Sequence, residues 1–505
     1  MIDLSGLRHA VDTASLERTS GRIVEVVGTL AEAELPGAVV GGLCCIGEDI
    51  LCEVVGFKER RALLMPLESL DGVAYGAPVT TMEGSIRIGV GPELVGRILD
   101  GLGNPIDGGP TLRLNERQRV HAAPPDPLAR SIISEPLETG IRVLDGLLTL
   151  GKGQRIGVMA GSGVGKSTLM GMLARHVKAD VNVICLVGER GREVREFIER
   201  DLGPEGLARS VVVVVTSDKS PVLQVKGAFV AAAIAESFRD QGQDVLLMMD
   251  SLTRFAMAQR QIGLAAGEPP TTKGYTPSVF SLLPKLLERA GAGENGGSIT
   301  GIYTVLVEGD DIHDPVGDAV RGIVDGHVVL SRKLAIHGHY PAVDVLQSLS
   351  RVMVNVTDKD HQGAATHIRG VLATWEENEE LIRLGAYRQG TSAEVDESIE
   401  KRPVLDVLLQ QGVDEATPLA HTLHAMARIA GMSVPEAPNM DSVPNDEMSR
   451  ELVGSEVPLG TEAATQSREG AIEALHEAQR RFAEPADAAR RPELGMEPAD
   501  SNLPE

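Results

Sequence analysis

The nine residues AGSGVGKST, Ala160 to Thr168, leave the chain around them little freedom. They follow an apolar run, QRIGVMA, and open a stretch of helical texture, so the order is strand, glycine-rich loop, helix. The pattern is G-x-x-x-x-G-K-[ST], with Ala160 in the first glycine position. Glycines let the backbone N–H groups point into one concavity, and the start of the following helix adds positive potential. A phosphate-binding loop is therefore predicted over Gly161, Ser162, Gly163, Val164, Gly165, Lys166, Ser167 and Thr168. Lys166 would reach the β and γ phosphates of a nucleotide, and the Ser167 hydroxyl would bind Mg2+. Ala160 is tolerable because its position needs a close approach to the sheet more than a positive φ.

The surrounding sequence has the texture that such a loop needs. Apolar runs QRIGVMA, VNVICLV, SVVVVVT, DVLLMMD and SITGIYTVLVEG alternate with helical stretches. Fully apolar, β-branched runs separated by helices read as parallel strands buried on both faces. SVVVVVT, alone an aggregation-prone edge, reads as a central strand in that context. Two carboxylates fall at strand ends. Asp250 closes DVLLMMD, placed to hold Mg2+ in the crevice where open α/β sheets bind ligands, although a lone Asp there could simply cap the next helix. Glu189 closes the strand after the phosphate-loop helix, and a right-handed crossover returns that strand's carboxyl end to the same sheet edge. It is placed to orient a water near a γ-phosphate. In VGERGREVREF the charges after Gly191 have the spacing of a solvated helix face.

The flanking regions differ. Residues 1–85 read as a small β-barrel domain, with short β-prone runs and glycine punctuation from about residue 20. Residues 86–348 carry the α/β core, and 349–432 are dominated by helices. Residues 433–505 are rich in Pro, Glu and Ala, carry about ten of the excess negative charges, and read as an acidic, largely disordered tail with one short helix over REGAIEALHEAQRRF.

A formal charge of −24 argues against a mainly nucleic-acid-binding surface, which needs basic patches. Residues 1–90 offer only Phe57 and Tyr75 as stacking aromatics, too few for the RNA-binding barrel of a hexameric helicase. Cys44, Cys45, Cys52 and Cys185 lack zinc spacing and read as small apolar residues in a reducing compartment. EGDDIHD and HGHY match no metal template. No signal peptide is read at the start, and no run approaches a membrane span. A cytoplasmic protein with no transmembrane segment is expected.

With these motifs in place, GKGQRIGVMAGSGVGKSTLMGMLA, LVGERGREVREFIERDLG, LLMMDSLTRFAMAQRQIGLAAGEPPTTKGYTPSVF, YTVLVEGDD, DGHVVLSRKLA and HYPAVDVLQSLSRVM resemble the type III secretion ATPases. These are relatives of the catalytic β subunit of rotary ATP synthases. The resemblance spans about residues 20–430 and is strongest to the flagellar protein export members, with the injectisome members as the alternative. It implies a RecA-like P-loop core between an N-terminal β-barrel and a C-terminal helical domain, and a homohexamer hydrolysing ATP with Mg2+. It also implies partners: a stator-like regulator, a coiled-coil stalk protein, export chaperones and cargo, and an export gate at the inner membrane. The protein would then be peripherally associated with that membrane and would bind no nucleic acid.

The resemblance also carries residue roles. Glu189 matches the catalytic glutamate, Arg190 a neighbour near the γ-phosphate, and Asp250 the acid supporting Mg2+. Tyr340 matches the aromatic on adenine, and Tyr387 either completes that pocket or is an ordinary half-buried tyrosine. Arg351 matches an arginine finger for the neighbouring subunit; its plain alternative is a surface ion pair. The loop Gly267–Pro277 would face the central channel of a ring. A short segment before the barrel is the departure that bears on docking of the regulator.

Overall fold

A computed structural model describes residues 19–82, 86–128, 130–307 and 314–432. The expected acidic tail and its helix, the first 18 residues and most of EGDDIHD lie outside the described residues.

Six strands close the N-terminal barrel: β1 (Ser20–Val27), β2 (Leu30–Glu34), β3 (Leu43–Ile46), β4 (Ile50–Lys58), β5 (Arg61–Pro66) and β6 (Pro78–Thr81). They join in the order β1-β2-β5-β4-β3-β6, so no strand edge is left open. The alternation of each strand fills the interior with small side chains. Ala31 and Ala33 of β2 point inward with Cys44 and Ile46 of β3 and Cys52 and Val54 of β4. Cys44 faces Cys52 across the ladder as a free thiol, and burial pushes the Cys44 thiol up to about 12. The cysteines thus serve as small apolar filling, apart from the half-buried Cys45.

The core sheet contains β7 (Ile98–Leu99), β8 (Arg155–Ala160), β9 (Val181–Glu189), β10 (Ser210–Thr216), β11 (Asp244–Asp250), β12 (Ser298–Leu306), β13 (Gly326–Leu330) and β14 (Val343–Ser350). Their order is β14-β13-β8-β12-β11-β9-β10-β7, and Gly291–Ala292 adds a short antiparallel pair to β12. All neighbours from β13 to β7 run parallel; β14 alone on this path is antiparallel. The five apolar runs are therefore parallel strands. SVVVVVT, β10, lies near the end of the path and is flanked on its outer side by the two-residue β7.

Helices cover both faces: α1 (Lys166–His176), α2 (Gly191–Glu196), α3 (Pro221–Arg239), α4 (Leu252–Ala265), α5 (Pro277–Leu287), α6 (Lys359–Arg383), α7 (Ala393–Leu409) and α8 (Leu419–Ile429). The period-2 alternation of β9 shows why its run is apolar apart from Asn182, whose amide donates to the Ala174 carbonyl at 2.8 Å. Val183, Cys185 and Val187 enter the layer beneath α3, α4 and α5, while Ile184 and Leu186 enter the layer beneath α1 and the C-terminal helices. Burying both faces requires a strand whose side chains are apolar or hydrogen-bonded.

Helix α3 is 19 residues long with a mean hydropathy of 1.2, enough to cross a membrane by length and composition. Its most apolar stretch is 89% buried between the sheet and neighbouring helices, so it is a core helix.

Candidate active site

The phosphate loop leaves β8 at Ala160 and turns through Gly163 (φ 75°) and Gly165 (φ 93°) before α1 begins at Lys166. Both glycines hold left-handed backbone that a side chain would strain. Gly165 caps α1 without a side-chain hydrogen bond, and the first N–H groups of any helix have no intrahelical partner. The loop thus offers donors and a positive helix end to an anion.

Three charged groups meet beside it. β9 and β11 are adjacent and parallel, so Glu189 and Asp250 reach the same sheet edge, and β12 separates them from β8. The Lys166 ammonium contacts Asp250 Oδ1 and lies 3.7 Å from Glu189 Oε1. Thr304 of β12 donates its hydroxyl to the same Asp250 oxygen at 2.6 Å. Glu189 is buried, and its Oε1 accepts no hydrogen bond. Burial first, then the Asp250 charge, push the Glu189 carboxyl up to about 7; the Lys166 charge opposes them. A carboxyl poised near neutrality with a free oxygen is suited to accept a proton from a bound water.

Sequence reasoning missed two residues here. Thr304 is one. Arg254 is the other: it lies in the first turn of α4, its Cβ packs where a side chain on Gly188 would stand, and its charge lowers the pKa of Glu189. Its Nε is buried without a partner. The signal was present in DSLTRFA, four residues beyond Asp250, where the first turn of a helix stays close to the strand end that precedes it.

The other expected site residues divide. Tyr340 lies over the loop: a methyl group on Gly165 would stand 3.4 Å from its ring. The residue is 44% exposed, its hydroxyl donates to the Ala335 carbonyl, and its own carbonyl accepts from Gln411 N. Ser167 is exposed at the helix start. Tyr387 is tied within its own loop, donating to the Ser392 carbonyl at 2.9 Å and to Asp396 at 3.0 Å; none of these bonds reaches the phosphate loop. Arg190 is 71% exposed and pairs with Glu193 at 2.9 Å, in series with Arg192–Glu196 and Arg195–Glu199. It stands at the N-cap of α2 and, through its pair with Glu193, belongs with the helix-face charges.

Arg351 lies at the other end of the sheet. β14 is antiparallel, so Ser350 pairs with Gly326, while the phosphate loop leaves β8 level with Leu330. Arg351 N bonds the Asp325 carbonyl, and among the described residues its guanidinium reaches only the Arg321 carbonyl, at 3.4 Å. Four strand residues at ~3.3 Å each separate the two levels. Within one chain the arginine and the loop face opposite edges.

Three family models match the chain in the order of its domains. They are the ATP synthase alpha/beta family beta-barrel domain over residues 17–82, that family's nucleotide-binding domain over 140–350, and the T3SS EscN ATPase C-terminal domain over 357–428. The flagellum-specific ATP synthase of Bacillus subtilis is 52% identical over 417 residues, covering 81% of this chain and 95% of the relative. This chain belongs to the type III secretion ATPase family. It is an ATPase with a β-barrel, a P-loop α/β core and a helical C-terminal domain. The type 3 secretion system ATPase of Xanthomonas euvesicatoria is 50% identical over 428 residues, covering 84% of this chain and 97% of that one. The assembled ATPase EscN of enteropathogenic Escherichia coli superposes with a TM-score of 0.78 at 45% identity, over 81% of this chain and 100% of EscN. EscN in complex with its central stalk EscO gives 0.76 at 44% identity, over the same shares of each chain.

Proposed function

We propose that this chain is the Mg2+-dependent ATPase of a flagellar type III export system, acting as a homohexamer. The observation that carries the reading is the meeting of Lys166, Glu189 and Asp250 beside a glycine-rich helix start. The flagellar assignment rests on the 52% identity to a flagellum-specific relative. The phosphates of ATP would lie on the N–H groups of Gly161–Thr168, with the base against the exposed face of Tyr340. The donor set fits Mg2+: the Ser167 hydroxyl and the Asp250 carboxylate are hard oxygens, and Mg2+ is held by one or two protein oxygens together with substrate phosphates. Bound Mg2+ would neutralise phosphate charge. Lys166 would release Asp250 and take a phosphate oxygen. Glu189 would hold the attacking water in line and accept its proton at the free Oε1.

Arg351 would complete a neighbour's site, since topology places it away from its own. EscN has been solved as an assembly and with its stalk EscO, which supports a ring and a coiled-coil stalk partner for this chain. The loop Gly267–Pro277 is the segment we assign to the channel. Its turn is anchored by the buried Tyr275, over which Arg260 lies at 5.8 Å, while the Lys273 side chain is about half exposed. A stator-like regulator, chaperones, cargo and a membrane export gate follow from the same assignment, with the protein cytoplasmic and peripheral to the inner membrane.

Two measurements test this. Purified protein should hydrolyse ATP at steady state only with Mg2+ and without stimulation by RNA. A deletion strain should lose secretion of flagellar hook and filament proteins. Intact motility with lost effector secretion would instead assign the chain to an injectisome, a reading that the 50% identity to the Xanthomonas euvesicatoria ATPase keeps open. Failure to hydrolyse ATP would overturn both.

A further inference from the structure

We infer that Thr304 is a positioning residue for the carboxylate that holds magnesium, acting through Asp250; the inference rests on the role proposed for Asp250. Thr304 is fully buried on β12, level with Val158 of the phosphate-loop strand on one side and next to the Asp250 strand on the other. Its neighbours Tyr303 and Val305 enter the apolar layer on the opposite face, and Ile302 on its own face is apolar. Valine would fill the same volume without a polar atom to satisfy. The hydroxyl has one strong bond, the 2.6 Å donation to Asp250 Oδ1, and lies 3.4 Å from the Met249 carbonyl.

That bond decides how Asp250 presents itself. Oδ1 carries both Thr304 and Lys166, and Oδ2 accepts no hydrogen bond among the described residues. With Oδ1 fixed against the sheet, Oδ2 is the oxygen left to face the phosphate site. When Lys166 leaves for a phosphate oxygen, Thr304 is the remaining donor that holds the carboxylate plane. A hydroxyl cannot leave with the ligand, since it is built into the strand. Without it, Asp250 keeps Lys166 as its only side-chain partner among the described residues, and the lysine is harder to release. The buried Arg289–Glu236 pair and the Lys226–Glu53 pair have no comparable connection to this edge.

The test is a nucleotide-binding titration with a fluorescent ADP, with Mg2+ and with EDTA, on the full chain. The ratio of the two affinities reports the contribution of magnesium and does not require turnover. T304V is expected to lower this ratio about tenfold, the loss of a hydrogen bond to a charged group, while affinity in EDTA stays at the wild-type value. T304S, which keeps the hydroxyl, should restore the ratio. In steady state T304V should raise the KM for Mg2+ with a smaller change in kcat. Thermal melting checks folding, and T304A carries the test if T304V does not fold. D250N separates the two ideas. If D250N abolishes the magnesium enhancement and T304V leaves it intact, Thr304 has no positioning role. If D250N also leaves it intact, the assignment of Asp250 itself fails. A T304S variant as impaired as T304V would likewise overturn the inference, because the hydroxyl would not be the cause.

Discussion

Replacing Glu189 with glutamine should stabilise the nucleotide-free protein while nearly abolishing turnover, and the first effect should depend on pH. The carboxyl lies in a low-dielectric edge beside Asp250, which raises its pKa from an ordinary 4.5 to about 7. A raised folded-state pKa means that ionisation works against folding. Below pH 4.5 the group is protonated in both states and costs nothing. Between 4.5 and 7 the unfolded chain increasingly favours the ionised form, and above 7 the cost is complete. The shift corresponds to a cost on the order of 3 kcal/mol at alkaline pH. The glutamine side chain would carry no charge at any pH and would leave Lys166 paired with Asp250.

Differential scanning fluorimetry without nucleotide, at pH 5.5 and pH 8, reads the effect directly. E189Q should melt several degrees above wild type at pH 8, as expected at ~2–4 °C per kcal/mol for domains of this class, with a clearly smaller gain at pH 5.5. The same variant should bind ATP and lose on the order of 10²–10⁴ in kcat. A gain equal at both pH values would refute the argument, since packing rather than charge would then be responsible. A variant less stable than wild type at pH 8 would show that the carboxylate is compensated by a group not recognised above. Near-normal hydrolysis would remove Glu189 from the chemistry.

Three further outcomes follow from the same structure. Y340A should raise the KM for ATP by roughly tenfold or more, as expected from ~1–3 kcal/mol of base stacking, with kcat largely kept; an unchanged KM would take the ring off the base. R351A and K166A should each be inactive alone, yet mixed oligomers should regain hydrolysis where a sound loop meets a sound arginine; absence of complementation would count against action between subunits. Lys226 of α3, 2% exposed, forms an ion pair at 2.6 Å with Glu53 of the barrel, so E53A should destabilise by ~3–5 kcal/mol by stranding a buried ammonium, while E53L with K226M should cost far less; equal losses in chemical denaturation would refute this.

What could be read from the sequence was what is settled locally. A strand buried on both faces is apolar wherever no partner satisfies a polar group, so β8 to β12 show in the sequence as mostly apolar runs, broken by satisfied residues such as Asn182 and Thr304. A phosphate loop must carry glycine where φ is positive, and Gly163 and Gly165 do. The placement of Glu189 and Asp250 at one edge followed from strand direction and crossover handedness alone. What escaped depends on contacts distant in sequence. Thr304 lies 54 positions from its acceptor, in a run that reads as plain strand. Arg190 was placed near the γ-phosphate by resemblance, yet here it stands at the cap of a helix, one residue past the strand end at Glu189, and pairs with Glu193. Tyr340 was accessible only through resemblance, because no local pattern places a tyrosine of a loop over Gly165.

On the role proposed for Arg351, a complete site requires a second copy of the chain. Parallel strands gather every carboxyl end at one edge, which is how Lys166, Glu189 and Asp250 meet. The single reversal on the path, at β14, delivers Arg351 to the opposite edge, where its backbone is held by Asp325 and Asp325 is in turn held by Arg155 at the start of β8. The strand that leads to the phosphate loop therefore has the arginine's anchor at one end and the loop at the other. A rigid β8 fixes the two in opposite directions, so no hinge within the sheet could bring them together without breaking the ladder. An arginine so placed can act on phosphate only across an interface, and head-to-tail contacts of that kind close into rings or run on as filaments. Hydrolysis that depends on Arg351 should accordingly rise more steeply than linearly with protein concentration, and the R351A variant should lose that steepness along with its activity.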